Sequence, residues 1–120
     1  MPEPRDVARI WLSAIRGTSF VSMDRGALEA FLTQQADRLI AALATEPFDR
    51  AVPFAVGRAL VAAHFTEVAS LEGTLATLGR QLAGHCDEAR LAELNGALAA
   101  GYAHALQERT LAEQEQISAA

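Results

Sequence analysis

The sequence contains no lysine and only one cysteine. Its 10 basic residues are all arginine and are outnumbered by 15 acidic residues, which gives a formal charge of −5. Because phosphate backbones are bound by clustered positive charge, this balance argues against a nucleic-acid partner. Cys86 alone cannot form an internal disulfide or a multi-thiolate metal site, so the composition fits a reducing compartment.

Long hydrophobic runs and targeting patterns are also missing. No stretch approaches the length of about 18 apolar residues that a membrane-spanning helix needs, and the N-terminal segment MPEPRDVARIW lacks the basic-then-apolar pattern of a secretion signal. We therefore expect a cytoplasmic protein with no membrane insertion.

Catalytic and metal-binding motifs are absent as well. The sequence has no HExxH, GxSxG, glycine-rich phosphate loop, CxxC or EF-hand pattern, and its acidic residues are scattered singly. We therefore predict that this chain is not an enzyme and holds no metal site.

Apolar residues at helical spacing are the main feature that the sequence does contain. A first helix is predicted to begin at Pro4 and end near Gly17, and a second, capped by Ser22 or Asp24, to end before Pro47. The second helix carries the widest apolar stripe, formed by Leu28, Phe31, Leu32, Ala36, Leu39, Ile40 and Leu43.

Two further helices follow. Asp49 is a suitable cap for the third, which is expected to approach another helix closely at Gly57 and to end at His64, Phe65 and Thr66. Ser70 is predicted to cap the fourth. One buried face of that helix is predicted from the 4, 3, 4 spacing of Leu71, Leu75, Leu78 and Leu82.

The last predicted helix is longer than the domain to which it belongs. It is capped by Asp87, and about 30 helical residues span about 45 Å, whereas a domain of this size has a radius of gyration of about 13 to 14 Å. Gly96 and Gly101 are expected to admit close helix contacts. The sequence therefore predicts an all-α, five-helix bundle, with a globin-like arrangement as one form of it. Residues 1–107 would form the bundle and 108–120 a projecting connector continuous with the last helix.

The functional alternatives differ in the role that they give to His64. It lies at the end of an apolar helix, where an imidazole can meet the helix dipole, line a small-molecule pocket or ligate haem. The aromatic residues indicate ordinary core packing, and small residues between helices leave room for a hydrophobic ligand. The candidate pocket residues are His64, Trp11, Phe54, Phe65 and Tyr102.

The polar end of the last helix suggests a second copy as a partner. A short isolated helix is marginal in water, so pairing in a homodimer would stabilise it. The residues predicted to form the dimer surface or to carry a signal along this helix are Leu91, Leu94, Leu98, Ala105, Arg109 and Ile117.

Several segments together resemble a known family. They are TSFVSM, EPFDRAVPFAVGRALVAAHFT, SLEGTLATLGRQL and GALAAGYAHALQERTLAEQEQI, with the pairs Val56-Gly57, Gly101-Tyr102, Arg109-Thr110 and Gln114-Glu115 and the runs Pro47-Phe48-Asp49 and Ala63-His64-Phe65-Thr66. The chain resembles the N-terminal sensory region ahead of PAS, GGDEF and EAL domains in actinobacterial proteins of cyclic di-GMP turnover. A weaker likeness, of fold only, is to the haem-free globin-like sensor domains of stressosome regulators.

The resemblance implies a regulatory sensor that signals through its C-terminal helix to a downstream output domain. No GGDEF or EAL signature residue is present, so neither cyclase nor phosphodiesterase activity is implied for this chain. No cofactor is expected on this interpretation. The alternatives are a haem or small hydrophobic ligand-binding protein with His64 as its central residue, and a dimerisation module without a ligand.

Overall fold

The computed structural model describes residues 1–119, and their side chains through residue 117, as an all-helical bundle. Within that range the helices are α1 (Pro4–Ile15), α2 (Arg25–Ala44), α3 (Ala51–Ala62), α4 (Val68–Gln81) and α5 (Glu88–Ala119). The five-helix prediction is confirmed. Residue 120 of the predicted connector lies outside the described residues.

Helix ends follow the local chemistry of the sequence. Gly17 has the left-handed φ of +81° that suits the residue after a helix, so α1 ends where it was predicted to end. Asp24 rather than Ser22 caps α2, because its Oδ1 accepts the Ala27 amide at 2.8 Å. Asp87 Oδ1 accepts the Arg90 amide at 2.7 Å, as predicted for the start of α5. Arg50 occupies the N-cap position of α3, but Asp49, one residue earlier, supplies the capping hydrogen bond, because its Oδ1 accepts the Ala51 amide at 2.9 Å.

The prediction for the start of α4 was wrong. Ser70 is not a cap but a buried residue inside the helix, which begins at Val68. Its hydroxyl lies 2.6 Å from Thr18 Oγ1 and 2.7 Å from Ser19 Oγ, both in the linker after α1. The hydroxyl therefore fastens that linker to α4 instead of closing a helix end.

The buried face of α4 is also rotated from the predicted one. Leu78 and Leu82 are fully buried, whereas Leu71 and Leu75 are only half-buried. Thr74 takes a core position, where its Oγ1 accepts the indole N–H of Trp11 at 2.8 Å. A buried indole N–H needs a hydrogen-bond acceptor, and Thr74 supplies it. The buried face of α4 therefore includes a polar residue that the leucine spacing does not predict.

Helix α5 is the longest element and gives the molecule its shape. Its 32 residues correspond to about 48 Å of helix, and the molecule extends 51 Å along its longest axis against 19 Å along its shortest. Ala105 is still buried, but every residue from 107 to 117 is exposed. The prediction that this helix projects beyond the bundle is confirmed.

Candidate functional site

The contact between α3 and α5 is the most extensive helix–helix contact within the described residues. A Cβ added at Gly57 would lie 2.7 Å from the Tyr102 backbone nitrogen and closer still to the Leu98 carbonyl oxygen. One added at Gly101 would lie 2.7 Å from the carbonyl carbon of Phe54 and closer still to its oxygen. Backbone therefore touches backbone at two points one helical turn apart, which only glycine permits.

The prediction that Gly96 also admits a close contact was wrong. It is exposed, and nothing lies within 4 Å of a Cβ placed there. Gly96 and Gly101 are five residues apart, which separates them by about 140° around the helix. They therefore face different surroundings.

The aromatic residues predicted to line a pocket with His64 do not do so. Trp11, Phe65 and Tyr102 are fully buried parts of the core, while His64 is exposed. The Tyr102 hydroxyl donates to the Phe65 carbonyl oxygen at 2.7 Å and lies 3.0 Å from that of Glu67. Burial, together with the negative charge of Glu67, raises the pKa of Tyr102 to about 12.

The end of α3 explains why His64 and Phe65 face in opposite directions. His64 adopts a left-handed φ of +73°. The Phe65 amide donates to the Leu60 carbonyl oxygen at 3.0 Å, and the His64 amide donates to the Val61 carbonyl oxygen at 2.9 Å. This is the Schellman arrangement with Ala63 as the C-cap, in which the second residue after the C-cap packs inward. Phe65 accordingly enters the core and the imidazole stays at the surface.

Two histidines face two arginines where α5 leaves the bundle. Arg58 Nη1 lies 2.7 Å from Nδ1 of His104, and its Nη2 donates to Glu108 Oε2 at 3.0 Å. Arg109 Nη1 lies 3.3 Å from Nδ1 of His64. The hydrogen bond from Arg58 holds the pKa of the Glu108 carboxyl below its ordinary value. We call Arg58, His64, His104, Glu108 and Arg109 the exit cluster.

Phe54 lies beside His104 of the exit cluster and not beside His64. Its half-buried ring is 5.8 Å from the imidazole of His104, centroid to centroid, and 5.7 Å from the guanidinium carbon of Arg50. His104 and Arg58 were not predicted as site residues. A histidine four residues before a glutamate on a helix was the available sign, since positions four apart lie on the same face.

The residues predicted to form a dimer surface or to carry a signal along α5 divide into three groups. Leu94, Leu98 and Ala105 are buried within the chain itself, so the part of the prediction that places them on a dimer surface was wrong. Leu91 is half-buried against the core. Arg109 and Ile117 lie on the exposed segment, and the Ile117 side chain is 77% exposed. We call residues 107–117 the tail. Its other large exposed apolar side chain is Leu111, at 52%.

Other kinds of site are not indicated within residues 1–119. No group of three or more histidine, cysteine or acidic side chains there is arranged to hold a metal ion, and no helix in that range is long and apolar enough to cross a membrane. His64 is exposed and lines two surface grooves, and the haem alternative stays a prediction. No family model, curated protein or solved structure matches the chain.

Proposed function

We propose that this chain is a cytoplasmic regulatory domain that transmits a signal through α5 to an output domain attached after it. The continuity of α5 is the observation that carries the proposal. One helix contributes Leu98 and Tyr102 to the core and then continues without a break into the exposed tail. A change in the position of α5 inside the bundle would therefore move whatever follows the tail.

The α3–α5 contact supports this mechanism because it leaves little freedom for independent motion. Two backbone contacts, at Gly57 and Gly101, couple the axes of the two helices without flexible side chains between them. Close-packed interfaces respond to perturbation by shifting between discrete arrangements rather than by deforming gradually. A displacement of α3 would then be passed to α5.

The exit cluster lies where such a displacement would reach the tail. Arg58 on α3 is hydrogen-bonded to two α5 residues, His104 and Glu108. His64, just after α3, faces Arg109 on α5. These polar contacts are exposed and individually weak, so they can be exchanged at low cost. We infer that they set which of two positions the tail adopts.

The identity of the output is proposed from sequence resemblance alone. The segments around Pro47, His64 and Gly101 resemble sensory regions ahead of PAS, GGDEF and EAL domains, so we propose a role in cyclic di-GMP signalling. The exposed Leu111 and Ile117 give the tail apolar side chains for pairing with a second copy. We therefore propose a homodimer joined through the tail.

A fusion to a reporter tests whether α5 transmits a signal. The chain is joined through its tail to a diguanylate cyclase domain, and cyclic di-GMP formation is compared between Gly101→Ala and the unaltered bundle. Because Gly101→Ala must displace α3 from α5, we expect it to change the output. If the fusion and its Gly101→Ala variant have the same activity while the bundle remains folded, the proposal fails.

A break in the tail provides the matched control. Ala112 is an exposed residue of the tail, so Ala112→Pro interrupts the helix without touching the core. We expect this change to remove the effect of Gly101→Ala on the reporter, whereas Ala112→Ser preserves it. An effect of Gly101→Ala that persists through Ala112→Pro would show that the signal does not travel along α5.

A further inference from the structure

Two surface grooves of different character meet at the end of α3. One, of about 470 Å³, includes Arg58, Glu108 and Arg109 in its lining, and the other, of about 430 Å³, includes Val21 and Phe31. Ala62 and His64 line both grooves. The two therefore adjoin and offer a polar and an apolar compartment to a single molecule.

The first compartment is suited to a carboxylate. Arg58 already binds the carboxylate of Glu108 at 3.0 Å, and Arg109 Nε donates to Glu113 Oε1 at 3.2 Å. Both arginine side chains are about 40% exposed, so their guanidinium groups are accessible from the groove. An incoming carboxylate could exchange with the glutamates and keep the charge-assisted hydrogen bonds that these groups favour.

The second compartment is suited to an alkyl chain. Its wall contains Val21 and Met23 from the linker before α2, Phe31 from α2, Ala59 from α3 and Ala63 directly after α3. Each of these side chains is half-buried, so apolar surface remains available to a ligand. The small alanine side chains leave the space, and methionine adapts its shape to different apolar partners.

We propose that these two grooves form one binding site for an alkyl-chain carboxylate. The head group would lie against Arg58 and Arg109, and the chain would lie along Val21, Met23 and Phe31. Once the ligand has taken the place of Glu108 or Glu113, the charge of the freed arginine favours an anion over a neutral amphiphile. The ligand class is thereby defined by both halves of the site.

The backbone at His64 determines where its imidazole lies. A left-handed φ of +73° is unfavourable for a residue with a side chain and is one that glycine adopts freely. Glycine at this position would close α3 equally well but would supply no imidazole. The conformation places His64 at the junction of the two compartments, with Nδ1 3.3 Å from Arg109 Nη1.

Binding at this site would connect the ligand to the tail. A carboxylate that takes the place of Glu108 on Arg58, or of Glu113 on Arg109, exchanges contacts where α5 leaves the bundle. Only this last step, from occupancy to output, rests on the proposed function. Ligand binding itself can be tested without any output domain.

Calorimetric titration of the full chain with decanoate tests the proposal. We expect saturable binding that weakens about twofold to fourfold for each CH2 removed, as judged with octanoate and hexanoate. Decan-1-ol, which has the same chain and no charge, should bind about tenfold more weakly. Equal affinities for decanoate and decan-1-ol would show that the arginines do not bind the carboxylate. Equal affinities for decanoate and hexanoate would show that the apolar groove does not bind the alkyl chain.

Variants locate the site on the molecule. Arg109→Gln should weaken decanoate binding about tenfold, and Ala62→Leu, which fills the junction from an exposed position, should weaken it by a similar factor. The matched controls are Arg80→Gln and Ala92→Leu, which make the same changes at exposed positions outside both grooves. If the controls weaken binding as much as the site variants do, the proposed site is wrong.

The two proposals fail in distinguishable ways. If decanoate does not bind but Gly101→Ala still changes reporter output through an intact tail, the ligand site is wrong and signal transmission stands. If decanoate binds in an Arg109-dependent manner but no bundle change reaches the reporter, the binding site stands and the proposed function is wrong.

Discussion

Replacing Gly101 by alanine is the most direct perturbation of the α3–α5 contact. The added Cβ would lie 2.7 Å from the Phe54 carbonyl carbon and closer to its oxygen, well inside normal van der Waals distance. The added Cβ and the Phe54 carbonyl are both fixed to helical backbone, so neither can rotate away. The two helices must therefore separate. Overpacking of this kind costs about 1 to 3 kcal/mol or more, and an obstruction by backbone belongs at the upper end of that range.

The helix-forming preference of alanine partly offsets this cost. Alanine is favoured over glycine by about 1 kcal/mol inside a helix, so the net loss at Gly101 is expected to be about 2 kcal/mol. Gly96 lies in the same helix with open space around it, so Gly96→Ala should stabilise the fold by as much as about 1 kcal/mol. Because helix preference is common to both variants, their difference of about 3 kcal/mol isolates the contact.

Denaturant unfolding followed by circular dichroism gives the comparison. Both variants and the unaltered chain are unfolded in urea, and the free energies are obtained by linear extrapolation with the slopes compared. A difference between the two variants below about 1 kcal/mol, with equal slopes, would show that α3 and α5 are not in backbone contact at Gly101.

Three further predictions follow from burial, charge and exposure. Leu78→Ala should lower the free energy of unfolding by about 2 to 5 kcal/mol in urea melts, because Leu78 is fully buried. Leu71→Ala should lower it clearly less, because Leu71 is only half-buried, and equal losses would contradict the observed buried face of α4. Folding raises the pKa of Tyr102 from 10.0 to about 12, so the unfolded state ionises first and stability should fall by about 2 to 3 kcal/mol between about pH 10 and 12. The chain has no lysine to obscure this window, and Tyr102→Phe in a Cys86→Ala background should show no such fall. Light scattering at micromolar concentration should give twice the 12.8 kDa chain mass for the unaltered chain and a monomer for Leu111→Glu. A monomer for the unaltered chain would contradict the proposed dimer.

Local signals predicted most of the helices because each depends on residues close in sequence. Asp24, Asp49 and Asp87 cap helices through amides two or three residues away, and such contacts can be read from the sequence. The length of α5 was predictable for the same reason, since nothing between Glu88 and the tail breaks a helix.

Contacts between distant residues were not predictable in the same way. Thr74 is buried because Trp11, 63 positions earlier, donates its indole N–H to it, and Ser70 is buried because of Thr18 and Ser19. Leucine spacing describes one helix and cannot report a hydrogen bond to another. The buried face of α4 was therefore predicted with the wrong rotation.

The candidate site depended on backbone geometry that composition does not reveal. His64 was singled out, but the sequence did not indicate that a left-handed turn would place it outside and Phe65 inside. Arg58 and His104 were missed because their importance comes from contacts between α3 and α5. Of the two glycines predicted to lie at close contacts on α5, only Gly101 does, and the choice between them depends on where α3 lies.

An insertion series in the tail tests most directly whether α5 transmits a signal as a continuous helix. One to seven alanines are inserted after Ala112 in the reporter fusion, and each rotates the following domain by about 100°. Our account predicts that cyclic di-GMP formation will vary with a period of about 3.6 residues, with insertions of four and seven close to the starting activity and those of two and five far from it. Activity that is independent of insertion length, or that only declines with it, would contradict transmission through α5.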